Sequence, residues 1–334
     1  MTVQLIYQDL TKGKKLDILL IYQFQMEGLQ MWRGVFPAVT TKFKTDGELD
    51  HAEMERCFGL QMEAGVDGII VCGSLGEAMT LEPSEKIEIL KLARSVAGGK
   101  PVLMTICESA TRRAGSRARD AAAAGADGFM VLPGVPYKSA PHETLMHLRA
   151  VAEAGDRPVM VYNNPVAYGV DVTLDMFEEL AGDKRFVAMK ESTDDIRRIT
   201  DVFSRFGDRF DVFTGVDNLA MESLVMGAHG WVAGLVVAFP KETVAIHRLV
   251  LAGRLDEARE IYRWFRPLLD LDVSTNLVQN IKLAEAIAIK SNDRVRGPRM
   301  PLQGAERARV SGIVEKALAS RPTLPLDLPA SAAA

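Results

Sequence analysis

The chain has 334 residues, 48% hydrophobic and 25% charged, enough for one large domain or two ordinary ones around a substantial core. A formal net charge of -4 gives no electrostatic reason to expect nucleic acid or an anionic membrane surface as partner. Cys57, Cys72 and Cys107 are scattered, odd in number and without CxxC spacing. They read as reduced thiols of a cytoplasmic protein, not as a disulfide framework or a metal site.

Residues 1–30 hold one short apolar run at 18–22 and lack the charged start, longer apolar core and small-residue cleavage site of a secretion signal. They read as a loosely attached N-terminal extension, with Met31 an alternative start. No window approaches the ~18 consecutive apolar residues that span a bilayer.

From Arg33 onward apolar runs alternate with amphipathic stretches. The predicted strands are Gly34–Val39, Gly68–Cys72, Val102–Ile106, Gly128–Leu132, Val159–Tyr162, Phe186–Lys190, Asp211–Thr214 and Gly230–Leu235. Most are continuous apolar runs, as suits strands buried on both faces of a parallel sheet. Helices are predicted between them, over Leu49–Ala64, Ser84–Val96, Thr111–Ala124, Pro141–Ala154, Leu174–Ala181, Asp195–Arg205, Asn218–Met226 and Lys241–Ala252. Three joints repeat almost verbatim: AGVDGIIV (64–71), AGADGFMV (124–131) and GAHGWVAG (227–234). Each ends a helix at a small residue and feeds a buried strand. Eight such units predict an α/β fold, a (β/α)8 TIM barrel, over 31–252. An open doubly wound sheet is the alternative, but no GxGxxG follows the first strand. Further helices, roughly 255–269, 275–290 and 303–318, make a C-terminal helical region over 253–320. A Pro- and Ala-rich tail follows over 321–334.

In such a barrel the site lies where the strands end. Strand 1 ends near Thr40, strand 2 in Gly73-Ser74-Leu75, and strand 4 before Tyr137. Strand 5 ends in Tyr162-Asn163-Asn164 and strand 6 in Lys190. A lysine on a barrel strand beside a neighbouring tyrosine suggests imine chemistry. Burial lowers the amine's pKa, and a phenol can shuttle protons. The pattern alone leaves a second reading equally open, a rim lysine paired with a carboxylate. His142 and His147 are off the i, i+4 spacing of a metal pair and read as packing residues. Glu77 reads as orienting the strand-2 loop. Asp217 reads as an N-cap, and Asp194 and Asp195 as helix-start carboxylates.

The motifs GSLGEAMTL (73–81), YNNP (162–165), MKES (189–192), GVDNLAMESLVMGAHGWVAG (215–234) and NIKLAEA (280–286) stand in one order with barrel spacing. Together they resemble the dihydrodipicolinate synthase / N-acetylneuraminate lyase family of Schiff-base lyases, over about 33–320. The resemblance implies Lys190 as the Schiff-base lysine and Tyr162 as the proton shuttle. It implies Gly73 and Ser74 as the 2-oxo acid carboxylate loop, and Val232 under the substrate. It also implies no metal or organic cofactor, a small 2-oxo or imino acid as substrate, and a homotetramer built as a dimer of dimers. Leu75, Thr40, Asn164 and Tyr137 complete the expected substrate wall, with loop packing the other reading of Tyr137.

Two departures bear on substrate. The family's synthases carry a second threonine where Leu75 stands, and an arginine two residues after the Tyr-Asn-X-Pro proline, where this chain has Ala167. Losing that guanidinium removes a charge-assisted contact of roughly 1.5–3 kcal/mol. CGSLGE, VLPGVPYKSAPHETL, VYNNPVAYGVDVT and KESTDDIRRITD instead resemble the 1-pyrroline-4-hydroxy-2-carboxylate deaminases of hydroxyproline breakdown. The alternatives are dihydrodipicolinate synthesis, a 2-keto-3-deoxy sugar acid aldolase or dehydratase, and a non-catalytic barrel that binds a 2-oxo acid.

Overall fold

Eight short parallel strands follow one another: β1 (Gly34–Pro37), β2 (Ile69–Val71), β3 (Val102–Ile106), β4 (Gly128–Val131), β5 (Val159–Asn163), β6 (Phe186–Glu191), β7 (Asp211–Thr214) and β8 (Gly230–Ala233). Every strand residue is buried, as the continuous apolar runs predicted. From β2 to β8 each strand pairs with the next, and β1 pairs with β8 through Phe36 and Val232. Between β1 and β2 the closure is a single parallel bridge, Ala38 to Ile70, with Val39 N donating to Ile70 O at 3.0 Å. The result is the nearly closed barrel of a (β/α)8 fold. The computed structural model describes residues 32–134 and 137–328. The extension expected over 1–30 and the last six residues of the tail lie outside them.

The helices are α1 (His51–Glu63), α2 (Pro83–Val96), α3 (Thr111–Ala123), α4 (Pro141–Gly155), α5 (Pro165–Tyr168), α6 (Leu174–Leu180), α7 (Arg197–Phe206), α8 (Ala220–Val225), α9 (Pro240–Leu251), α10 (Leu255–Leu269), α11 (Leu277–Ala288) and α12 (Gly304–Ala319). The Asp50 carboxylate accepts the Glu53 N–H at 3.2 Å and starts α1, which buries Met54, Cys57, Phe58 and Gln61 at helical spacing. The helix expected from Asn218 is a 3-10 turn over Asp217–Leu219 followed by α8. α5 falls where the sequence reading has no helix. No helix among the described residues is long and apolar enough to cross a membrane.

The repeated joints share a bonding device. Asp67 accepts the Val35 N–H at 2.8 Å, and Asp127 accepts the Val102 N–H at 2.8 Å. His229 Nδ1 accepts the Val212 N–H at 3.0 Å. In each case a polar side chain before one strand holds the start of the preceding strand. That pins the register on which the opposite, C-terminal end of the barrel depends.

The C-terminal helices are part of the core. α10 packs on α9 and buries Ala258, Ile261, Tyr262, Phe265, Leu268 and Leu269. Trp264 stacks on Phe265, with ring centroids 5.5 Å apart and 21° between planes. α11 brings Lys282 and Glu285 inside. The side chains of Lys282, Glu77, Lys42 and Glu285 are all at most 1% exposed, with Lys42 Nζ 2.6 Å from Glu285 and Lys282 Nζ bonded to Glu77.

Candidate active site

Lys190 stands on β6 beside Tyr162 of β5, the two directly paired in the strand register. Both side chains enter a cavity of about 110 Å³ at the C-terminal mouth of the barrel. Lys190 is 7% exposed, and its Nζ lies 3.9 Å from the centre of the Tyr162 ring. Burial pushes the amine below its ordinary value, although Tyr168, Asp272 and Asp217 pull the other way. Desolvation prevails because the ring covers the amine and, among the described residues, no carboxylate bonds it directly. The rim-lysine reading needs such a carboxylate, and the ion pairs of the described residues do not include Lys190. Room for the chain comes from Gly215, where a Cβ would lie 2.4 Å from Lys190 Cε and 2.2 Å from Ser192 Oγ.

Burial raises the Tyr162 phenol, and the amide of Asn164 moderates the rise by donating to its oxygen at 3.0 Å. The Asn164 side-chain oxygen accepts the Ala167 N–H at 2.9 Å and so caps α5. That short helix turns Tyr168 inward. Its hydroxyl bonds the Ser74 hydroxyl, and its ring meets Tyr162 edge-on, centroids 5.7 Å apart at 85°. Ser74, Tyr168 and Tyr162 thus carry neighbouring hydroxyls from the strand-2 loop to the lysine. Sequence reasoning missed Tyr168. The signal was its position three residues after Pro165, one helical turn from the YNNP motif.

Gly73, Ser74, Leu75, Asn164 and Val232 all line the cavity, together with Ala38, Met130 and Ala167. Two expected wall residues do not. Thr40 is buried beyond the end of β1, and its hydroxyl donates to Glu285 at 2.9 Å, facing the ion-pair network. Tyr137 is 63% exposed and donates to Glu143 at 2.9 Å, which leaves it the loop-packing role at the start of α4.

Glu77 orients the strand-2 loop, bonding Lys282 Nζ and accepting the Arg296 N–H at 3.0 Å. Asp217 is not an N-cap. Its carboxylate reaches across to β8 and accepts Trp231 Nε1 at 2.9 Å, Gly234 N at 3.1 Å and Leu235 N at 2.8 Å. Asp195 does sit at a helix start, accepting the Arg197 N–H at 3.1 Å. His147 is buried against Thr111, its Nδ1 3.0 Å from the hydroxyl. Asp272, between α10 and α11, lines the cavity and was not foreseen, because it belongs to no strand end.

Residues 31–317 match the profile of the Dihydrodipicolinate synthetase family. The chain is 30% identical over 292 residues to the 4-hydroxy-tetrahydrodipicolinate synthase of Geotalea uraniireducens, covering 86% of this chain and 99% of that one. It is 32% identical over 286 residues to the enzyme of the same name from Chlorobium phaeovibrioides, covering 84% and 95%. Among solved structures it resembles the dihydrodipicolinate synthases of Aquifex aeolicus, with TM-score 0.81, 28% identity and coverage of 85% and 98%, and Thermotoga maritima, with TM-score 0.81, 28% identity and coverage of 86% and 99%. The names these relatives carry favour the synthase alternative over the deaminase expectation. The chain belongs to the dihydrodipicolinate synthetase family of lyases.

Proposed function

We propose that this chain forms a Schiff base through Lys190 with a small imino or 2-oxo acid bearing one carboxylate. The substrate we favour is 1-pyrroline-4-hydroxy-2-carboxylate. One observation carries the reading. At the synthases' arginine position the cavity presents the Ala167 methyl, and its described lining residues include no cation but Lys190 and one carboxyl, Asp272. A second substrate carboxylate entering here finds no guanidinium and gains no charge-assisted contact, which costs affinity. A single carboxylate at the carbon bonded to Lys190 lies instead against the Gly73–Ser74 loop.

The chemistry then balances. The neutral amine of Lys190 attacks C2 of the ring imine, and the ring nitrogen leaves as an amine, giving an open-chain imine on Lys190. Tyr162 accepts the C3 proton, and the enamine so formed expels the 4-hydroxyl as water. A proton shift from C5 to C3, and protonation at C4, converts the terminal amine to an imine. Two waters hydrolyse the two imines, releasing ammonia, 2,5-dioxopentanoate and free Lys190. One water leaves and two enter, so the sum is hydrolytic deamination.

Synthase chemistry stays as the second reading, because the sequence relatives above are named 4-hydroxy-tetrahydrodipicolinate synthases. The test is mass spectrometry after borohydride reduction, with pyruvate and with the pyrroline carboxylate in parallel. An adduct on Lys190 together with ammonia release from the pyrroline supports deamination. Condensation of pyruvate with aspartate semialdehyde supports the synthase. No adduct with either compound defeats both and revives the binding-barrel reading. A homotetramer in the cytoplasm belongs to the same proposal, checked by light scattering and by cell fractionation.

A further inference from the structure

Asp272 reaches the mouth of the barrel from the segment between α10 and α11, and it shares the cavity wall with Lys190, Tyr162 and Tyr168. It comes close because residue 234, at the end of β8, is glycine. A Cβ there would lie 2.5 Å from Asp272 Oδ1. The nearby carboxylate of Asp217 is the contrasting case, since two backbone N–H groups and an indole N–H bond it. Those donors offset part of the rise that burial imposes on Asp217. Asp272 accepts no hydrogen bond from any described residue. Two neighbouring carboxyls with such unequal surroundings, only Asp272 of them on the cavity wall, are suited to different roles.

We propose that Asp272 is a catalytic acid whose carboxyl donates its proton to the hydroxyl leaving the substrate, at the carbon two bonds from the imine carbon. The inference rests on the substrate reading above. In the step, the nitrogen lone pair of the Lys190 enamine re-forms the C=N bond, and the C2=C3 pair becomes C3=C4. The C4–O bond breaks with its electron pair, and the Asp272 proton goes to that oxygen to give water. Asp272 ends as a carboxylate, and a later proton uptake restores it.

The electrostatics suit that order. Burial, reinforced by the neighbouring Asp217 carboxyl, raises Asp272 well above the usual carboxyl range, and burial lowers the Lys190 amine. Attack by Lys190 then creates a cationic iminium nearby. That charge stabilises the Asp272 anion and strengthens the acid when the hydroxyl leaves.

Asp272→Asn keeps the shape and removes the proton. The expected result is ammonia release from the pyrroline carboxylate lowered about 10²–10⁴-fold, with an undiminished borohydride-trapped pyruvate adduct on Lys190. An analogue with fluoride in place of the 4-hydroxyl needs less help from an acid, and the variant should be impaired far less on it. Unchanged ammonia release overturns the proposal, as does equal impairment on hydroxyl and fluoride. Loss of the pyruvate adduct as well overturns it in favour of a structural role. If the wild-type protein traps pyruvate but releases no ammonia, the substrate reading has failed and the acid role falls with it. If wild-type turnover is normal and only the Asn variant behaves unexpectedly, the acid role falls alone. Gly234→Ala, which pushes the carboxyl aside, provides an independent variant with the same expected pattern.

Discussion

Glu77→Gln removes one charge beneath the strand-2 loop and leaves shape and volume nearly untouched. Glu77 is 1% exposed and holds a left-handed backbone at φ 56°, and its partner Lys282 is wholly buried. Burial already pushes Lys282 from 10.5 down to about 8, with Glu77 opposing the fall. Without Glu77 the amine drops further and sheds its proton at pH 7. The wild-type fold already bears the drop from 10.5 to about 8 as desolvation. The one unit left between that value and pH 7 is what the variant loses, about 1 kcal/mol, less than the roughly 3–5 kcal/mol of a buried pair broken with its charge retained.

The pH dependence has a definite sign. A lysine with a depressed folded-state pKa binds fewer protons folded than unfolded between its two pKa values, so stability rises with pH across that window. For the wild type the window runs from about 8 to 10.5. For the variant it opens below pH 7. Above pH 8 the folded lysine is neutral in both proteins, and the gap between them closes. Urea unfolding of both proteins at pH 7 and pH 9 measures it. A deficit of about 1 kcal/mol at pH 7 that shrinks at pH 9 is expected. A deficit of equal size at both values refutes the reasoning.

Tyr168→Phe removes the hydroxyl that bonds Ser74. The trapped adduct on Lys190 should persist while turnover falls about 10²-fold, read as kcat at saturating substrate; unchanged kcat removes Tyr168 from the proton path. Gly215→Ala places a methyl against Lys190 Cε and Ser192 Oγ. It should cost about 1–3 kcal/mol of stability and slow adduct formation, and a variant with wild-type trapping kinetics contradicts the tight fit.

The barrel was legible because a parallel strand buried on both faces is mostly apolar, and β1 to β8 are, with their polar residues mainly at the strand ends. Lys190 stood out because it ends such a run, and Tyr162 because it ends the neighbouring one. The three near-identical joints marked the repeated unit, but not their bonding: His229 does in one joint what Asp67 and Asp127 do in the others. Thr40 was misassigned because β1 stops at Pro37, and three residues on the chain has turned toward Glu285. Tyr137 was placed near the site by its nearness to strand 4, but its loop carries it into solvent.

By itself, then, the order of residues determined the strands, their sequence around the barrel and the central lysine, since these follow from local periodicity and the rule that barrel sites gather at strand ends. Tertiary structure alone decided which other groups face that lysine. Tyr168 arrives on a single helical turn capped by Asn164. Asp272 arrives from a C-terminal segment 82 positions beyond Lys190, through the space left at Gly234. Such contacts between segments distant in the chain depend on packing, which no local pattern encodes.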